Sequence, residues 1–320
     1  MISVTQVVLL LSVIGAVGLL TVYGAVVIFS HTPRRVVASE LKYKTTGDEE
    51  GELPPTANAG IKRDHEGIVL SVVIPCYNER KRLGTMLDES LPFLQRKFRN
   101  QYEVLIVDDG SNDGTGDYAL QKAVEHGLAP HVMRVVTLAH NRGKGGAVAH
   151  GLLHVRGEYG LFVDADGATQ FSDLDGWTDQ LGTTAPGVVV GSRAHMVNTD
   201  AVVKRTFIRN LLMRGLHVLV YIFGVRSVRD TQCGFKLFNY DAIRLIFPNL
   251  HNERWIFDVE VLLLAEMQGI PITENAVCWK EIDGSKVNLA KDSIDMAVDL
   301  VITRLAYLFG IYKVEGKKDV

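Results

Sequence analysis

Asp164-Ala165-Asp166 sets two carboxylates two residues apart, so an extended chain presents both on one side. That spacing suits a hard divalent cation that keeps some waters and takes its other ligands from substrate phosphate oxygens. Taken singly, the tripeptide is also what a strand-end turn capping a helix looks like. Asp108-Asp109-Gly110-Ser111-Asn112-Asp113-Gly114-Thr115 carries the same double reading. Asn141-Arg142-Gly143-Lys144-Gly145-Gly146 has the glycines and the cation of a phosphate cradle. It lacks the GxxxxGK[ST] spacing, which argues against a P-loop nucleotidase, and no GxGxxG follows the first apolar run, which argues against a dinucleotide oxidoreductase. His65, His131, His140, His150 and His217 show no HxH or HExxH spacing, so histidine-based metal chemistry is not expected.

Each of these groups ends a short apolar run. Val69 to Ile74 leads into Pro75-Cys76-Tyr77-Asn78-Glu79, and Val104 to Val107 into the first acidic pair. Val132 to Leu138 leads into the glycine-rich loop, and Leu161 to Val163 into the second acidic pair. Apolar runs without strict alternation suit strands covered on both faces, and the helix-like segments between them suit right-handed crossovers. The expectation is a doubly wound α/β domain with a mostly parallel sheet. Ligands of such sheets bind beyond the carboxyl ends of the strands, where the acidic and glycine-rich residues collect.

The chain has 320 residues, 34 basic against 37 acidic side chains, and 47% hydrophobic residues. That charge balance argues against a duplex-wide nucleic-acid binder, which needs a basic face to displace counterions from phosphates. Cys76, Cys233 and Cys278 are too few and too scattered for a disulfide framework or a CxxC zinc site, and read as reduced thiols. The mean hydropathy of +0.11 is high for a chain that is 22% charged. Val7 to Phe29 explains it: the segment carries no charge and is long enough to cross a bilayer. It lacks the basic n-region of a cleavable signal. Arg34, Arg35, Lys42 and Lys44 follow it, so the positive-inside bias puts the remainder in the cytosol. The expected layout is a short lumenal N-terminus (1–6), a transmembrane anchor (7–29), a cytosolic linker (30–67), the catalytic domain (68–292) and a C-terminal interfacial helix and tail (293–320). Two further apolar stretches, 211–225 and 296–312, are interrupted by Arg214 and His217 and by Asp299 and Arg304. Both suit helices lying in a membrane interface, or core helices packed on the sheet.

The succession SVVIPCYNE (71–79), VLIVDDGSNDGT (104–115), NRGKGGAV (141–148), DADGAT (164–169) and VVGSR (189–193) resembles the family 2 nucleotide-sugar glycosyltransferases, which have the GT-A fold. DTQCGFKLF (230–238), RWIFDVE (254–260), DGSK (283–286) and the anchor narrow the resemblance to the polyprenyl-phosphate branch. It implies an inverting enzyme of the endoplasmic reticulum membrane that moves glucose from UDP-glucose to dolichyl phosphate for N-glycan precursor assembly. Mannosyl transfer from GDP-mannose is the alternative. A processive glycan synthase would need several spans, and a non-catalytic binding module would have no use for intact Asp164, Asp166, Arg193 and Arg205.

By that resemblance Pro75, Tyr77, Asn78, Glu79, Asp109, Lys144, Asp164 and Ala165 bind the nucleotide sugar, with Asp109 preferred over Asp108. Asp164 and Asp166 hold Mg2+ or Mn2+ against the diphosphate. A phosphate acceptor, with a second pKa of ~6, is already an anion near neutral pH, so it needs cations rather than a base. Arg193, Arg205, Arg209, Lys236, Ser285 and Lys286 are the candidates for its phosphate. Asp166, Arg193, Arg205 and Asp258 are the catalytic candidates, with Asp258 expected to orient an arginine or the sugar hydroxyls.

Overall fold

The computed structural model describes residues 4–47, 49–57, 65, 67–196, 215, 219–282, 284 and 289–315. In chain order the first elements are α1 (Val4–Phe29), the hairpin β1 (Lys42–Lys44) and β2 (Glu50–Glu52), β3 (Leu70–Cys76), α2 (Arg80–Phe98), β4 (Tyr102–Asp108), α3 (Thr115–Glu125), β5 (Met133–Thr137) and α4 (Lys144–Leu153). Then come β6 (Tyr159–Val163), α5 (Trp177–Leu181), β7 (Val188–Ser192), β8 (Phe235–Asn239), α6 (Tyr240–Ile246), α7 (Phe257–Met267), β9 (Ile272–Ala276) and α8 (Leu289–Leu308).

Successive side chains of a strand point to opposite faces. Val73, Leu105 and Val107 therefore enter one core, with α4, α6, α7 and the end of α8. Val72, Ile74, Val104 and Ile106 enter the other, with α2, α3 and α5. The sheet runs β2-β1-β5-β4-β3-β6-β8-β7-β9. Its centre, β5-β4-β3-β6, is parallel, β8 is antiparallel to both β6 and β7, and β9 is parallel to β7. From β3 the chain winds outward through β4 and β5, then returns to place β6 on the other side of β3. That reversal opens a crevice above the carboxyl ends of β3 and β6.

The expected linker is a correction. Residues 38–41 form a 3-10 turn, and β1 and β2 pair with each other and extend the sheet at β5. Tyr43, Leu53 and Ala57 are buried in the core beside α4. Thr45 Oγ1 donates to the Met133 carbonyl at 2.7 Å, and the Ala57 N–H to the Leu153 carbonyl at 2.7 Å. The described stretch from the end of α1 onward thus packs against the sheet and its core.

α1 starts three residues ahead of the expected span and is long and apolar enough to cross a membrane. Its side chains are mostly exposed, unlike those of a core helix, but Val26 in the last turns is only 1% exposed and belongs to the domain core. Tyr23 packs on Phe309 with ring centroids 5.8 Å apart. The hydroxyl of Tyr312 accepts from the His31 N–H at 2.6 Å and donates to the His31 carbonyl at 3.0 Å. His31 Nε2 also lies 3.0 Å from Asp299. α8 packs on α7 through Leu300, which joins Val220, Ile256 and Val259 in a small separate cluster, so the two interrupted apolar stretches meet there. Tyr221, Ile222, Ile294, Val298 and Leu308 remain exposed.

Candidate active site

β3 ends in a turn that only certain residues accept. Asn78 has φ of +52°, a left-handed conformation that asparagine tolerates better than most residues. Its N–H donates to Ser111 Oγ at 2.8 Å, and its side-chain oxygen accepts from the Asn112 N–H at 2.9 Å. The β3 turn and the β4 turn are thereby locked together. Pro75 and Tyr77 flank the crevice, Tyr77 being exposed. Glu79 is buried and accepts two bonds from Arg82, at 2.8 and 2.6 Å. Arg82 Nη1 also reaches to 3.7 Å from Asp166. One guanidinium therefore spans the crevice between the β3 and β6 ends. The i, i+3 spacing from Glu79 hints at the first pairing, whereas Asp166 is remote in the chain and carries no local mark of the second.

Asp108 caps its own turn by accepting from the Ser111 N–H at 2.8 Å. Asp109 holds the glycine-rich loop: its carboxylate accepts from the Arg142 N–H at 2.6 Å and the Gly143 N–H at 2.9 Å. Burial nevertheless dominates and pushes the Asp109 carboxyl up to about 7 from 3.8. Between those values the folded chain keeps a proton that the unfolded chain has released, so this residue's contribution to stability falls as pH rises from 3.8 to about 7. Asp109→Asn is expected to gain stability relative to the parent as pH rises from about 4 to about 7 and to keep that gain above it, read from urea midpoints. A difference that stays constant with pH would refute the assignment.

Lys144, at the start of α4, lies 2.7 Å from Asp164 Oδ1 and over the rings of Phe162 and Trp255, at 5.3 and 5.9 Å. Its charge, neighbouring three carboxylates, is held on the nitrogen more firmly than usual despite burial. Asp164 and Asp166 follow β6, with Ala165 buried between them. Asp166 accepts from the Ala168 N–H at 3.0 Å, and burial followed by the Asp164 charge raises its pKa. The Asp164 N–H donates to the Gly234 carbonyl at 3.0 Å. A Cβ on Gly234 would collide with the Asp164 carboxylate, which accounts for glycine in CGF. Among the described residues no three His, Cys, Asp or Glu side chains cluster as a closed metal site. Two carboxylates with open positions between them suit a cation whose other ligands are water and substrate oxygens.

Arg193, just after β7, makes a bidentate pair with Asp230 at 2.7 and 2.8 Å and lies 5.6 Å from the Trp279 ring. Asp230 opens the DTQCGFKLF motif, and nothing local in that motif marks it as the partner of Arg193. Its turn is in turn held by Glu274 on β9, which accepts from the Arg229 and Asp230 N–H groups. One third of the Arg193 side chain, 33%, stays exposed.

Lys236 differs from expectation. It is 1% exposed, and its ammonium donates to Asp258 and, at 2.6 Å, to the Cys233 carbonyl. Lys236 is registered beside Phe162 and Val190 and shares with Phe238 the sheet face that packs on α7. Asp258, in the first turn of α7, thus orients a lysine rather than an arginine. Arg205, Arg209, Ser285 and Lys286 lie outside the described residues.

Paired carboxylates and two cations in the crevice at the switch point of a doubly wound sheet define a glycosyltransferase of the GT-A kind. The chain belongs to glycosyl transferase family 2, whose sequence model matches residues 71–247. It is 53% identical over 312 residues to the dolichyl-phosphate beta-glucosyltransferase of Saccharomyces cerevisiae, covering 93% of each chain. It is 44% identical over 260 residues to the Homo sapiens protein of the same name, covering 78% of this chain and 79% of the human one. The crystal structure of mannosyl-3-phosphoglycerate synthase from Rubrobacter xylanophilus superposes with a TM-score of 0.49 at 17% identity, over 79% of this chain and 78% of that one.

Proposed function

We propose that the chain transfers glucose from UDP-glucose to dolichyl phosphate, with inversion at the anomeric carbon, on the cytosolic face of the endoplasmic reticulum membrane. What supports this reading most is the crevice itself, Asp164 and Asp166 flanked by Lys144 and Arg82, in a chain whose relatives carry the name of that activity. Asp164 and Asp166 would hold Mg2+ or Mn2+, which supplies Lewis-acid neutralisation of the departing diphosphate. Tyr77, Glu79 and Asp109 frame the nucleotide. Lys144 and Arg82 bring further positive charge to where the leaving group becomes more negative.

An oxygen of the acceptor phosphate forms the new bond to the sugar C1 as the bond from C1 to the UDP oxygen breaks. The electron pair leaves with UDP. No proton has to be removed, so the acceptor side needs cations and hydrogen-bond donors: Arg193, held by Asp230, with Arg205, Arg209 and Lys286 and the hydroxyl of Ser285. α1 would span the bilayer, and the exposed Tyr221, Ile222, Ile294, Val298 and Leu308 would lie against its interface.

The test is a parallel assay on membranes containing the chain. Radiolabelled UDP-glucose and GDP-mannose are each offered with dolichyl phosphate and a divalent cation. A lipid-extractable product from UDP-glucose alone is expected. Product from GDP-mannose instead overturns the donor, and product from neither overturns the activity.

A further inference from the structure

The segment that joins the anchor to the domain makes an unusual set of contacts. The Arg34 N–H donates to Glu253 Oε2 at 3.3 Å, and the Arg34 carbonyl accepts from Arg142 Nη2 at 3.2 Å. Glu253 Oε1 takes Arg142 Nε at 2.7 Å and also pairs with Arg142 Nη2, while the Glu253 carbonyl accepts from the Gly146 N–H at 3.0 Å. Gly143, with φ of +87°, passes so close to this carbonyl that an added Cβ would lie 2.6 Å from it. The far side of the segment is fixed as firmly. Arg34 pairs with the fully buried Glu40, whose carboxylate also accepts from the Val37 N–H at 3.1 Å and the Ala139 N–H at 2.9 Å. Burial alone would raise the Glu40 carboxyl, but these bonds outweigh it and hold it below its ordinary value. The Glu40 carbonyl contacts His150 Nε2 on α4 at 2.9 Å.

The N-terminal side of the Asn141–Gly146 loop is therefore gripped by the anchor-side segment through Ala139 and Arg142, its Gly146 end is held by Glu253, which itself bonds Arg34, and Lys144 and the N–H groups held by Asp109 lie within it. We infer that residues 31–41 are a positioning part of the donor site: through Glu40 and Glu253 they fix the loop that presents Lys144, so that seating of this juxtamembrane strap and nucleotide binding are coupled. The inference rests on the reading of the crevice as a UDP-sugar site. It identifies Glu253 and Glu40 as positioning residues that act through Arg142 and Arg34. Two charge pairs meeting at Arg34 also make the effects interdependent, because Arg34 bonds both glutamates, Glu253 through its N–H and Glu40 through its guanidinium.

The experiment uses the full chain in detergent micelles, with UDP and Mg2+ as the probe. Calorimetry gives the UDP Kd, and steady-state transfer gives the acceptor KM. Glu253→Gln and Glu40→Gln are each expected to weaken UDP binding by about 3- to 10-fold with the acceptor KM unchanged. The double variant is expected to lose less than the product of the two. By reciprocity, UDP is expected to slow amide exchange in residues 31–41 of the parent, and that protection is expected to shrink in Glu253→Gln. A parent chain that does not bind UDP overturns the crevice reading itself. A parent that binds, beside variants with lowered melting temperatures but unaltered UDP affinity and exchange, overturns the coupling alone. If Glu40→Gln does not fold, Arg142→Lys replaces it in the cycle, with the same expected loss.

Discussion

Asp166→Ala is expected to yield a folded protein whose transfer rate is lower by about 10²- to 10³-fold or more, the range seen when one preorganised electrostatic stabiliser is removed. The same variant, without added divalent cation, is expected to melt at a higher temperature than the parent. Burial and the neighbouring Asp164 raise the Asp166 carboxyl, so its ionised form is less favourable in the folded chain than in the unfolded one. Removing it relieves that cost. Higher stability joined to lost turnover is the pattern of a functional site that holds like charges together. A residue serving only as a turn cap would show the reverse. Thermal unfolding and single-turnover transfer measure both halves, and transfer within about 10-fold of the parent would refute the role given to Asp166.

Asp258→Asn divides folding from chemistry in the opposite way. Lys236 and Asp258 are 1% and 4% exposed, and their pairing lies in the interior between β8 and α7. Asparagine there leaves an ammonium buried without its countercharge, a change that costs about 3–5 kcal/mol in comparable settings. The denaturation midpoint is expected to fall accordingly. Transfer per folded molecule is expected to persist within about 10-fold, because a phosphate with a second pKa of ~6 arrives as an anion and no group has to take its proton. Urea titration gives the folded fraction by which the rate is normalised. A normalised rate lost by more than about 10²-fold would make Asp258 a base or a direct substrate ligand and sink the base-free reading.

The legible part of the site is the part built from single strand ends. Each apolar run from Leu70, Tyr102, Met133 and Tyr159 stops where its motif begins, so the sequence order of the motifs is also their spatial convergence. What escaped reading depends on partners remote in the chain. Glu253 meets Arg142 across 111 positions, and nothing local to either marks it. Lys236 has the composition of a surface residue, and only Asp258, 22 positions on, explains its burial. The hairpin at 42–52 escaped for a different reason. Its strands are three residues long and read Lys-Tyr-Lys and Glu-Gly-Glu, too short and too charged to show a period. Its place on the sheet is held by a few isolated side chains, Tyr43, Leu53 and the paired Glu40, rather than by a pattern.

The buried end of α1 also bears on how substrate is found. A domain on a loose tether would sample many heights and tilts above a bilayer, and most of its encounters with a lipid headgroup would be misdirected. Val26 in the core, Tyr23 against Phe309 and His31 clasped by Tyr312 leave no such slack. On the proposed function, with α1 spanning the membrane, the catalytic body would be a fixture of the bilayer surface. The acceptor would then approach by diffusion in a plane toward an opening of set orientation, while only the soluble donor would have to be captured from three dimensions.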